Sequence, residues 1–238
     1  MITVGDASAE QSRIHALLDA GVTEPRFMAW QYSRPALVLG RSQRASPELR
    51  ARAEGEGVAL LTRSSGGGAV MAGPWMLSLT LLLPAAHELS RASLPAGYRA
   101  VGEACRRALA RFRMRTTLAD GAAPVGATHP PQTARPDWAC FATVSHGELL
   151  AAGDRKIVGI AQVRRRNVIA VCVGVLVDRP DWGALVRLWL GRDDLPAVQQ
   201  LESRTATCTE IADRDRCISV GSLATALVAE LPACRPAA

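Results

Sequence analysis

The sequence predicts an α+β fold built on a mixed, largely antiparallel sheet flanked by helices, and three observations carry that expectation. Leu77, Leu79 and Leu81 alternate with Ser78 and Thr80, the period-2 signature of a strand with one face in a core. Tyr98, Val101, Cys105, Ala108, Leu109 and Phe112 recur at helical spacing, with Arg99, Arg106 and Arg111 off that stripe. Residues 168–177 form an unbroken Val-rich apolar run, as expected of a strand covered on both faces. No repeat or shift in composition divides the 238 residues, so a single domain over residues 1–238 is expected.

Ser8 and Gln11 have the spacing of a capping box, Ile14, Leu17 and Leu18 share a helical face, and Gly21 stands where a C-cap belongs. These predict a short amino-terminal helix. Residues 27–32 and 36–39 read as strands parted by Arg34 and Pro35, 46–54 as a polar helix and 58–62 as a further strand. Residues 120–137 are rich in Gly and Pro and lack periodicity, which predicts a long loop that is either functional or disordered. Residues 140–143, 148–151 and 157–163 read as strands, and 182–190 and 220–231 as helices.

Hydrophobic residues make up 48% and charged residues 21%, the balance of a folded rather than a disordered chain. The longest apolar run is about half of what a bilayer demands. The opening residues MITVGDASAEQ show no basic region followed by an apolar stretch. No membrane partner and a cytoplasmic location are therefore expected. Six cysteines (Cys105, Cys140, Cys172, Cys208, Cys217, Cys234) form no C-x-x-C pair and no ligand-like spacing with histidine, so neither a metal site nor a disulfide scaffold is expected. The net charge of +6 and pI near 9.4 point to an acidic partner. With three Phe, two Tyr and no binding motif, that partner is not expected to be nucleic acid.

Three stretches carry chemistry. Arg63-Ser-Ser-Gly-Gly-Gly-Ala-Val70 lies between two strands, and consecutive glycines let a backbone approach a ligand while presenting N–H groups to its oxygens. Lys156 is the only lysine in a chain whose other basic residues are all arginine. It opens a strand whose small residues Gly159 and Ala161 leave room for a groove. Either a single lysine codon survived by chance, or a compact ammonium is needed there and a planar guanidinium will not do. Cys140 stands at a loop-to-strand boundary close in sequence to Lys156, where a cation would favour its thiolate. Cys105, Cys172 and Cys208 read as core residues. His15, His87, His129 and His146 have no metal spacing, and only His146 lies near enough to Cys140 in sequence to act as its base.

Together these stretches resemble the biotin/lipoate protein ligase superfamily on its lipoate side. Three motifs occur in that family's order: Pro35-Ala-Leu-Val-Leu-Gly-Arg-Ser-Gln43, then Arg63 to Val70 followed by Leu77-Ser-Leu, then Lys156-Ile-Val-Gly-Ile-Ala-Gln162. The resemblance covers roughly residues 1–190, and the residues that follow are too few for the accessory domain of many ligases. It implies a ligase-type catalytic domain with an acyl pocket beneath the glycine loop and Lys156 in contact with the activated carboxyl group. Cys140 and Lys156 become the catalytic candidates. Arg63, Ser65, Gly66, Gly67, Gly68, Ala69, Gly159, Ala161 and Gln162 become the candidates for holding the acyl group or an adenylate.

The implied activity is attachment of an octanoyl or lipoyl group to a lysine of a small acidic carrier domain. Cys140-Phe-Ala-x-x-Ser145 looks like the cysteine segment of the family's acyltransferases, which favours a thioester route. The unbroken Gly66-Gly67-Gly68 looks more like the ATP-dependent ligases, the alternative. A non-catalytic acyl-binding protein is a second alternative. No resident cofactor or metal is implied; lipoate or octanoate is the transferred group, and ATP with magnesium enters only for a ligase. Met71-Ala-Gly-Pro-Trp75 replaces a segment that usually contains a histidine.

Overall fold

The computed structural model describes residues 2–120, 136–212 and 218–231. His129, Cys217, Cys234 and nearly all of the loop expected at 120–137 lie outside the described residues. The first half of the chain runs β1 (Ile2–Gly5), α1 (Ala7–Ala20), β2 (Arg26–Tyr32), β3 (Ala36–Leu39), α2 (Pro47–Gly55), β4 (Ala59–Thr62), β5 (Val70–Ala72) and β6 (Met76–Pro84). There follow α3 (Glu88–Arg91), α4 (Leu94–Ala110), β7 (Thr117–Leu118), β8 (Leu149–Ala151), β9 (Arg155–Arg164) and β10 (Val168–Leu176). Helices α5 (Trp182–Leu190), α6 (Leu195–Arg204), α7 (Cys208–Ile211) and α8 (Val220–Glu230) complete the described elements. No described helix is long and apolar enough to cross a membrane.

The main sheet has seven strands in the order β1-β2-β6-β10-β9-β8-β7, and a smaller sheet has the order β4-β3-β5. β10 lies at the centre with antiparallel neighbours on both sides, as its apolar sequence requires. On one face, Leu77, Leu79 and Leu81 of β6 join Val171, Val173 and Val175 of β10 beneath α4 and α8. The stripe of α4 is buried there through Val101, Ala104, Cys105, Ala108 and Leu109. The other face meets α1 through Ile14, Leu17 and Leu18 and otherwise looks toward the smaller sheet and α5.

On that second face, side chains shrink where they are most needed to make room. Ser78, Gly174 and Gly159 stand side by side across β6, β10 and β9, and Thr80, Cys172 and Ala161 form the next row. Six small residues in two adjacent rows leave a groove across the sheet that large side chains would fill.

Two local expectations need correction. The first helix is capped by Asp6, whose carboxylate accepts from the Ala9 N–H at 2.8 Å, and not by Ser8, which lies inside the helix. The carboxylate precedes the first helical residue and so reaches the free N–H groups first. Residues 140–143 do not form a strand: Cys140–Ala142 is a 3₁₀ turn, with Ala142 N–H bonded to Ala139 carbonyl at 3.1 Å. Its carbonyls are taken by side chains rather than by a neighbouring strand. Elements unread in the sequence include β1 and α6, the latter capped by Asp194 with Pro196 in its first turn.

Candidate functional site

A cavity of about 80 Å³ occupies the groove. Its floor includes Ser78, Thr80, Cys172, Gly174, Gly159 and Ala161, and its far walls are Glu10 and Ile14 of α1 with Val38 and Ala72 of the smaller sheet. Arg63, Ser65, Cys140 and Phe141 also face it. The ring of Phe141 lies over Gly159 and Gly174, where an added Cβ would stand 3.5 and 3.6 Å from Cζ. Small residues in the sheet therefore seat both the cavity and the aromatic ring beside it.

Cys140 is held at its backbone from two directions. Its N–H donates to the Ala69 carbonyl at 2.8 Å, while Ala69 N–H donates to the Trp138 carbonyl at 2.7 Å, tying the glycine loop to the cysteine segment. Its own carbonyl accepts from Lys156 Nζ at 2.9 Å. Trp138 stacks on Trp189 of α5 with ring centroids 4.8 Å apart, and Gln43 Nε2 donates to the Trp138 carbonyl at 2.9 Å. Cys140 is partly buried and borders the cavity.

The glycine loop is shaped from within. Arg63 Nη2 donates to the carbonyls of Gly66 and Gly68, each at 2.8 Å, so its guanidinium buckles the loop instead of standing free. Gly67 has φ +97, a left-handed conformation that side chains resist, and a Cβ on Gly68 would lie 2.5 Å from the Trp138 carbonyl. A Cβ on Gly40 would lie 1.8 Å from the Gly67 carbonyl, so the first motif's glycine is a packing requirement of the second motif. The N–H groups of Gly66, Gly67 and Gly68 find no acceptor among the described residues. The Ser65 hydroxyl is buried and likewise unpartnered.

Lys156 is 1% exposed, and its three protons have three acceptors: Glu148 Oε1 at 2.7 Å, the Cys140 carbonyl at 2.9 Å and the Thr143 carbonyl at 3.0 Å. Glu148 accepts in turn from the N–H groups of Ser145 at 2.7 Å and Ile160 at 3.1 Å. The ammonium thus reaches the site through the cysteine's backbone and does not itself line the cavity.

The sequence from residue 5 to residue 231 matches the profile of the lipoyl protein ligase A/B catalytic domain. The chain belongs to this family. No curated protein matches the sequence significantly. Among solved structures, a lipoate-protein ligase A bound with ATP superposes with a TM-score of 0.68 at 18% identity, covering 97% of this chain and 82% of that one. A putative lipoate protein ligase from T. acidophilum with bound lipoic acid gives 0.66 at 18% identity, covering 97% and 81%. A biotin protein ligase from Aquifex aeolicus, solved with biotin and ATP, gives 0.51 at 12% identity, covering 97% and 66%.

Of the residues singled out within this ligase-family chain, Cys140, Arg63, Ser65, Gly159 and Ala161 meet at the cavity. Gly66, Gly67, Gly68 and Ala69 do not line it but belong to the loop tied to the Cys140 segment, and Lys156 lies behind Cys140. Gln162 stands opposite Val171 in the register, on the face turned toward α4 and away from the groove. His146 makes no described contact with Cys140. Sequence reasoning gave no role to Glu148, to Gln43 or to Glu10, Tyr32 and Ser78, although Gln43 and Ser78 lie within quoted motifs. Glu10 carried a readable signal: it stands on the apolar stripe of α1, in line with Ile14, Leu17 and Leu18.

Burial separates the thiols. Cys105 and Cys208, enclosed in the core, are pushed up to about 12, and Cys172, on the groove floor, is pushed up to about 11.

Proposed function

We propose that the protein transfers a medium-chain acyl group, octanoyl or lipoyl, to a lysine of an acidic lipoyl carrier domain through a thioester on Cys140. The observation that carries this reading is the partly buried Cys140 at the edge of the groove, its backbone fixed by Ala69 and Lys156. The Cys140 thiolate attacks the carbonyl of a donor thioester, the S-acyl bond forms on Cys140 and the donor leaves as its thiolate. The target lysine, as the free amine, then attacks that carbonyl, an amide forms, the amine's proton is released and the Cys140 thiolate returns. The unpaired N–H groups of the glycine loop are the donors available to the oxyanion of each step.

A saturated eight-carbon chain gains about 0.8 kcal/mol per buried methylene, on the order of 5 kcal/mol in all. That holds the acyl group while its carboxyl end reacts. Lys156 serves as a positioning residue for the Cys140 segment. Support for a lipoyl-carrier partner comes from a T. acidophilum relative studied as a bipartite lipoate protein ligase with its E2 lipoyl domain.

The second reading, ATP-dependent ligation through a lipoyl-adenylate, is favoured by the unbroken glycine loop and by the ATP bound to the lipoate-protein ligase A neighbour. ATP is then a substrate accompanied by magnesium, and Cys140 has no covalent role. The deciding assay supplies a lipoyl carrier domain with either an octanoyl thioester or lipoate plus ATP and reads the mass of the domain. Thioester-dependent transfer that Cys140→Ala abolishes is the expected result; ATP-dependent transfer with pyrophosphate release, retained by Cys140→Ala, establishes the ligase instead.

A further inference from the structure

Part of the chain's positive charge is gathered beside the site. Residues 34–52 hold five arginines and one acidic residue, Glu48. Two of the five are engaged within the fold: Arg34 Nη2 meets Asp6 Oδ2 at 3.2 Å, and Arg52 donates to the carbonyls of Leu188 and Trp189 at 2.8 and 3.1 Å. Arg50 is exposed on α2. Arg41 and Arg44 lie on the turn between β3 and α2, where Gln43 N–H returns to the Gly40 carbonyl at 2.9 Å. Both are exposed, and neither meets a carboxylate among the described residues.

That turn is built into the rim of the groove. Arg41 N–H donates at 2.9 Å to the carbonyl of Ser65, a residue of the cavity wall, and Gln43 Nε2 holds the Trp138 carbonyl two residues before Cys140. Arg44 Nη1 donates to the Arg41 carbonyl at 3.4 Å, which keeps its guanidinium over the same turn. The backbone of the turn thus supports the site, while its two charges satisfy no carboxylate of the described structure. Trp138 and Trp189, stacked and partly buried, stand beside it. Arginine and tryptophan are the residue types that most often anchor a protein interface.

Distance decides which arginines can act on a partner at Cys140. A second exposed run, Arg164-Arg165-Arg166, closes the β9–β10 hairpin, and Arg164 is eight residues along β9 from Lys156, about 26 Å of strand. The screening length at physiological salt is about 8 Å, so that hairpin contributes little over Cys140, whereas the β3–α2 turn is bonded to the walls of the site. A folded carrier domain is far larger than the groove. Only its lysine side chain enters, and the domain itself rests on the rim.

We propose that Arg41 and Arg44 form the docking surface for the acidic face of the carrier domain and so bring its target lysine to the groove beside Cys140. This rests on the acyl-transfer reading above and names where its partner sits; it holds whether the acyl group arrives as a thioester or as an adenylate. Each guanidinium presents a planar fork that pairs with a carboxylate, and charges on the rim of an interface set the rate and the salt dependence of encounter.

The test is steady-state transfer to an acidic lipoyl carrier domain, from an octanoyl thioester or from lipoate with ATP, at low and at high salt. Arg41→Glu combined with Arg44→Glu is expected to raise the KM for the carrier about tenfold or more at low salt and to abolish its rise with salt, the effect falling on KM rather than on kcat. Arg165→Glu combined with Arg166→Glu removes the same charge and is expected to leave KM within about twofold of the parent's. Arg41→Gln combined with Arg44→Gln gives an intermediate KM and supplies the reading if the charge reversal does not fold. A parental KM in the rim variants, an equal rise in the hairpin variant, or a loss confined to kcat overturns the inference and leaves acyl transfer standing. A parent that acylates the carrier from neither donor overturns the functional reading and this inference with it.

Discussion

The buried pair of Lys156 and Glu148 explains why one lysine stands among so many arginines. Three acceptors surround Nζ in a pocket where the residue is 1% exposed, and a tetrahedral ammonium satisfies them where a larger planar fork does not fit. Lys156→Ala strands the Glu148 carboxylate and is expected to cost about 3–5 kcal/mol in denaturant unfolding, much of which the double replacement Lys156→Met with Glu148→Leu restores. Lys156→Arg is expected to lower transfer by about tenfold or more by displacing the Cys140 carbonyl; parental kcat in this variant contradicts the positioning role. Glu10 gives a prediction in pH. Burial raises its pKa above the ordinary value of 4.5, against the lowering effect of Ser78, Tyr32 and Gln11. The folded chain therefore holds that proton more tightly than the unfolded chain, and this contribution to stability is present at low pH and lost as pH rises through the raised value. Glu10→Gln cannot titrate, so calorimetry should show its Tm gaining on the parent's as pH rises from about 4.5 toward neutrality. A constant difference contradicts the assignment.

At the level of elements, the site is a meeting of two loops over a groove of small residues. Gly40 and Gly67 touch so closely that Gly40→Ala drives a Cβ into the Gly67 carbonyl, and a backbone atom cannot swing aside. That variant is expected to lose about 1–3 kcal/mol and to lose acyl transfer, as the glycine loop shifts from Cys140. Ala161→Leu fills the groove floor and should move preference toward shorter acyl donors, seen as a fall in kcat/KM for eight carbons relative to four; an unchanged ratio places the acyl chain elsewhere. These contacts mark the boundary of what the sequence made legible. The strand at Leu77, Leu79 and Leu81, the helix around Val101 and the apolar central strand were readable because their periodicity reports a buried face. The 3₁₀ turn at Cys140 was not, because side chains remote in sequence fix its carbonyls. Nor was the pairing of Ser78, Gly174 and Gly159, which exists only once the strand register is set.

For the whole molecule, the order of three motifs along the chain was enough to reach the ligase family, whose profile spans residues 5–231. What motif order cannot convey is that Lys156 lies behind Cys140 and that Gln162 faces away from the groove, since both depend on which side of β9 each residue occupies. The basic character of the chain, +6 overall, bears on its partner. With an acidic carrier domain, raising ionic strength from about 0.1 to 1 M shortens the screening length from about 10 to 3 Å and should raise the KM for the carrier. The rate of acylation by a small neutral donor should stay level. A KM indifferent to salt contradicts an electrostatic docking step.

The central claim is that Cys140 carries the acyl group, and intact-mass spectrometry of the chain incubated with an octanoyl thioester and no acceptor tests it most directly. The predicted result is a stoichiometric gain of one octanoyl group, mapped to Cys140, removed by hydroxylamine or by a lipoyl carrier domain, and absent from Cys140→Ala. An unmodified chain that nevertheless acylates the carrier, or an adduct that persists in Cys140→Ala, contradicts it.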